Sequence, residues 1–86
     1  MTREEERLLR DAAERGTVVD VDVSGHELAC CGRPFARRGA ATLRGNVQHL
    51  VWRGGRGGFL LYVRGVGTVE TAHVALGEVT AVRAVR

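Results

Sequence analysis

The hydrophobic period of this chain changes once, at Gly16, and that change constrains the fold more than any other feature. Before it, Thr2 to Arg15 reads as a helix over residues 2–15. Thr2 is a suitable N-cap, and Glu5 stands three residues on, the spacing of a capping box. Glu4, Glu5 and Glu6 fill the first turn, where the helix dipole favours negative charge. Arg15 lies in the last turn, and Gly16 suits the left-handed residue that ends many helices. Glu6–Arg10, Arg7–Asp11 and Asp11–Arg15 are spaced for ion pairs. The apolar stripe is only Leu8, Leu9, Ala12 and Ala13, enough to cover one side of something else.

After Gly16 the alternation has period two, as in strands. Val19, Val21 and Val23 fall on one face of residues 17–23, and Asp20 and Asp22 on the other. Ser24-Gly25 is a turn and 26–31 a second short strand. Residues 32–39, with the single proline Pro34 between glycines, read as a loop. Residues 40–44 are a weak strand, and 46–52 and 59–63 are strong ones joined through glycine-rich 54–58. A last hairpin, 68–76 and 79–85, turns at Gly77-Glu78. The expected fold is mostly β with one N-terminal α-helix, a small antiparallel β-barrel or sandwich, forming a single domain over 1–86. The two strong strands carry apolar residues on both faces, more than one helix can cover. A homo-oligomer is therefore expected.

Charge is laid out unevenly. Residues 1–31 hold four arginines against eight acids. Residues 32–69 hold seven arginines, Arg33, Arg37, Arg38, Arg44, Arg53, Arg56 and Arg64, and no acid. The basic stretch can meet the acidic helix of its own chain, meet that of a second copy, or face a polyanion. The chain has no lysine. Arginine is the residue suited to paired contacts with carboxylates and phosphates, although a GC-rich coding sequence gives the same bias.

Two segments suit polyanion binding. Trp52-Arg53-Gly54-Gly55-Arg56-Gly57-Gly58-Phe59 sets Arg-Gly-Gly units between aromatics. Guanidinium groups pair with phosphate, aromatic faces stack on bases, and glycines admit a close ligand. Over these eight residues the segment resembles the arginine-glycine-glycine boxes of RNA-binding proteins, a resemblance that implies nucleic acid as ligand. Arg33-Pro34-Phe35-Ala36-Arg37-Arg38 has a similar mixed character. The candidate site is thus Arg33, Arg37, Arg38, Arg53 and Arg56 with Trp52 and Phe59. The expected partner is nucleic acid, with acidic protein the alternative.

Other chemistries lack parts. Cys31-Gly32-Arg33-Pro34-Phe35 looks like part of a zinc finger, but Cys30 and Cys31 are adjacent, and His49 has no second histidine soon after it. Cys30, Cys31, His26, His49 and His73 include ligand types for zinc, but two buried free thiols acting as small hydrophobes, with ordinary histidines, are the preferred reading. Asp20 and Asp22 suit a cation or a solvated strand face. Ser24 is the single serine, next to His26 only along the chain, which is not the geometry of a catalytic pair. No phosphate-binding loop or dinucleotide fingerprint is present. The expectation is a non-enzymatic protein without a cofactor. Met1 to Glu6 leads into no apolar run, and no segment has the length to span a bilayer, so a cytoplasmic protein that does not contact membrane is expected.

Overall fold

A computed structural model describes residues 2–30, 33–53, 56–65 and 68–85, with side chains placed for 2–29, 35–48 and 71–85. Helix α1 (Arg3–Arg15) starts as its sequence requires. The Thr2 hydroxyl accepts from the Glu5 amide at 3.2 Å, and the Glu5 carboxylate accepts from the Thr2 amide at 3.0 Å. Gly16 closes the helix at φ 67°, its amide donating to Ala12 O at 2.9 Å. Asn46 Nδ2 donates to Gly16 O at 2.7 Å and ties this end to the sheet. Glu6–Arg10 forms an ion pair at 3.2 Å.

Among the described residues seven strands follow: β1 (Val18–Val23), β2 (His26–Cys30), β3 (Arg33–Arg38), β4 (Ala41–Arg53), β5 (Arg56–Gly65), β6 (Thr68–Ala75) and β7 (Val79–Ala84). They form one ladder in the order β3-β2-β6-β5-β4-β1-β7, every pairing antiparallel. Two three-stranded groups, β3-β2-β6 and β4-β1-β7, thus flank β5. The edge strands β3 and β7 make no backbone pairing with each other among the described residues. The mostly β, one-helix expectation is met, without closure into a barrel by hydrogen bonds.

Three expectations change. Residues 33–38 are a strand rather than a loop. Pro34 is accommodated because β3 is an edge and its register with β2 shifts at Leu28/Ala29, where Pro34 stands opposite Ala29. The segments 40–44 and 46–52 are one strand, because Gly45 is paired on both sides, with Val19 and with Val63. The β4–β5 ladder continues to Arg53 opposite Arg56, so less of the glycine-rich segment is a connection than its composition suggests. A 3-10 turn, Leu76–Glu78, makes the β6–β7 connection.

The core gathers Val19, Val21 and Val23 of β1, Leu43 and Val47 of β4, Ala72 and Val74 of β6, Val79 and Val82 of β7, and Leu9 and Ala12 of α1. Val21 is fully buried, with Leu43 and Val82 beside it in register. Since two strands, β5 and β4, lie between β6 and β1, a shared core requires the sheet to curl, and α1 closes the curled face over β4, β1 and β7. Glu5 also reaches the edge strand, where its Oε2 accepts from the Val82 amide at 2.8 Å. These two hydrogen bonds, from the Thr2 and Val82 amides, hold the Glu5 carboxyl below its ordinary value. No helix among the described residues is long and apolar enough to cross a membrane.

Candidate functional site

The arginines of the basic stretch divide into those that the chain itself neutralises and those that it does not. On the outer face of β1 and β4, the period-two pattern sets Asp20 opposite Arg44 and Asp22 opposite Thr42. Arg44 makes a two-point contact with Asp20, at 2.8 and 3.0 Å. From β7, Arg83 grips Asp22 in the same way at 2.6 and 3.0 Å, and the Thr42 hydroxyl donates to Asp22 at 2.6 Å. Hydrogen bonds from Arg83, then from Thr42, pull the Asp22 carboxyl down to about 2. Arg44 likewise lowers Asp20. Both aspartates are thus engaged by arginine, which disfavours the cation reading.

A second contact lies where three inter-strand connections meet. Arg37, near the end of β3, gives both terminal nitrogens to the Glu78 carboxylate. Glu78 O accepts from the Ser24 amide at 2.8 Å and from its hydroxyl at 3.3 Å. Buried His26 lies beside the third connection, its Nδ1–H donating to Gly39 O at 3.1 Å. Gly25 is packed so closely that an added Cβ would lie 2.5 Å from Arg37 Nη2. The Glu78 hydrogen bond, then its charge, raises Arg37 further. The sequence reading missed this corner, because its partners are 41 and 54 residues apart. No local pattern carries such a separation.

The acids that meet the basic stretch come from β1 and the 3-10 turn, not from α1, among the described residues. Arg38 is exposed with no ion-pair partner among them. Phe35 is 61% exposed and is the sole large exposed hydrophobic they include.

The remaining candidates are positioned by backbone alone. Arg33 opens β3, opposite Cys30. Arg53 stands opposite Arg56, Trp52 opposite Gly57 and Leu50 opposite Phe59. The side chains of Arg33, Trp52, Arg53, Arg56 and Phe59 lie outside the described residues, as do those of Cys30, Cys31 and His49. Gly54 and Gly55 lie wholly outside them. The two basic clusters do not share adjacent strands. From β3 to β5 the sheet steps through β2 and β6, roughly 14 Å at strand spacing.

Among the described residues, no three of the histidines, cysteines and acids cluster as metal ligands would. His73, in register with Glu27 and Leu60, keeps a buried Nε2 without a hydrogen-bond partner. The Ser24 hydroxyl donates to a backbone carbonyl rather than to a base. No protein-family model, no curated protein and no solved structure matches this chain.

Proposed function

We propose that the chain is a non-catalytic, cytoplasmic binding module that self-associates and takes a polyanion at the β4–β5 hairpin, with nucleic acid the ligand to test first. The observation that carries this reading is the register pair Arg53–Arg56. Like charges directly opposite each other in a ladder are destabilising. Arg37 and Arg44 have an internal carboxylate each. The hairpin lies in a stretch without acids, so a bound anion is the natural balance for it. Trp52 and Phe59 flank the pair along the chain, and two glycines, Gly57 and Gly58, lie opposite Trp52 and Val51.

The test is binding of single-stranded RNA, single-stranded DNA and duplex across a range of salt. Replacing Arg53 and Arg56 together by alanine is expected to weaken binding for every sequence. It also lowers the slope of log affinity against log salt by about 1.4–1.8. Absence of binding by the parent protein at low salt refutes the reading. Self-association rests on the two-faced apolar strands, which one helix does not cover. Light scattering that gives the monomer mass of 9.3 kDa removes that part.

A further inference from the structure

We propose that the open side of β3 is a strand-docking site for an extended acidic segment of another protein. This surface is separate from the β4–β5 hairpin and independent of the nucleic-acid reading. β3 is paired on one side, with β2, and no described backbone hydrogen bond uses its other side. An edge of this kind can accept an incoming strand by main-chain hydrogen bonds, with side chains giving the selectivity.

The side chains on β3 specify what kind of strand. Phe35 is 61% exposed and offers an apolar anchor. Arg37 and Arg38 are both exposed, and the whole stretch 32–69 lacks an acid. The chain itself shows the pairing, since Arg37 already holds the Glu78 carboxylate through two hydrogen bonds. Arg38 has the same chemistry and no such partner among the described residues.

Charged residues and a proline on an edge strand normally discourage pairing. Here they discriminate. Two copies of β3 paired antiparallel about Phe35 and Ala36 would set Arg33 against Arg38 and Arg38 against Arg33, which repel. Basic and neutral strands leave Arg38 unbalanced. A strand that brings a glutamate or aspartate to Arg38 and an apolar residue to Phe35 satisfies both, so the repulsive elements select an acidic partner.

The probe is a short synthetic peptide alternating glutamate and valine, with a lysine-for-glutamate peptide as control. Binding is read by titration, and location by amide hydrogen exchange. The expected result is binding of the acidic peptide alone, with slowed exchange at 35–38. The variant carrying Phe35→Ser and Arg38→Ala should lose about tenfold or more in affinity, equivalent to ~1.4 kcal/mol. Both side chains are exposed, so the variant is expected to fold, and Arg38→Ala alone carries the test if it does not. Replacing Arg53 and Arg56 by alanine should leave peptide binding unchanged, which separates this site from the hairpin. Unprotected β3 amides, equal binding of the lysine peptide, or loss of peptide binding in the Arg53/Arg56 variant overturns the proposal. Protection of 35–38 by a single-stranded oligonucleotide in place of the peptide overturns it too, and assigns β3 to nucleic acid.

Discussion

Replacing Leu9 by alanine tests how α1 is attached. Leu9 is 1% exposed and, with Ala12, is the helix's buried contribution to the core. The substitution removes three carbons, about 2.4 kcal/mol at ~0.8 kcal/mol per buried methylene. The cavity left behind adds to this, and buried leucine-to-alanine changes cost ~2–5 kcal/mol in total. A loss of about 3 kcal/mol is therefore expected, a shift of ~12–24 °C in Tm for a domain of this size. Total stability for 86 residues is on the order of 4–13 kcal/mol, so the variant remains folded unless the parent is at the bottom of that range. Urea unfolding followed by far-ultraviolet circular dichroism measures it, and an unchanged slope against denaturant shows that the two-state comparison holds. Arg7→Ala on the exposed side is the control, expected within about 0.5 kcal/mol of the parent. A Leu9→Ala cost below about 1 kcal/mol would refute the docking of α1 on the sheet.

Two further outcomes follow from the polar contacts. Asp22 is lowered from 3.8 to about 2 in the folded protein, so the unfolded chain takes up its proton first as pH falls. Its contribution is complete above the ordinary aspartate value and drains away as pH drops toward the folded one. Asp22→Asn should lower Tm near neutrality and converge with the parent in strong acid; parallel Tm–pH curves would exclude the linkage. Gly25→Ala should push the Arg37 guanidinium off Glu78, since the guanidinium is the flexible partner in that contact. Its cost should shrink in a Glu78→Gln background, and equal costs in both backgrounds would mean the two sites are uncoupled.

What was legible in the sequence was local. The capping box of Thr2 and Glu5 and the Gly16 stop depend on residues within one helical turn, and all are present. The alternation of β1 carried its burial, with Val19, Val21 and Val23 inward. β3 was hidden because proline and flanking glycines are loop signals, and only an edge position with a register shift makes them compatible with a strand. Gly45 disguised the continuity of β4 in the same way, since pairing with β1 and β5 overrides its weak strand preference. Of the candidate arginines, Arg37 proved to be held by Glu78, a partner that only the tertiary fold brings near. The opposition of Arg53 and Arg56 required knowing how far the ladder runs.

The Glu5 carboxylate that reaches Val82 joins residues 77 apart, and it dates the helix in the order of folding. A 13-residue helix is marginal by itself in water. The surface that α1 covers is made from β4, β1 and β7, so it is incomplete until the final strand has paired with β1. In folding, the helix is then the last of these elements to find its place. Meanwhile, the outward amide of Val82 has no carboxylate to satisfy it. Between sheet assembly and helix docking, β7 is an uncovered edge available to any neighbouring strand. A longer dwell in that state gives neighbouring chains more time to pair with the β7 edge, whatever the stability of the finished fold.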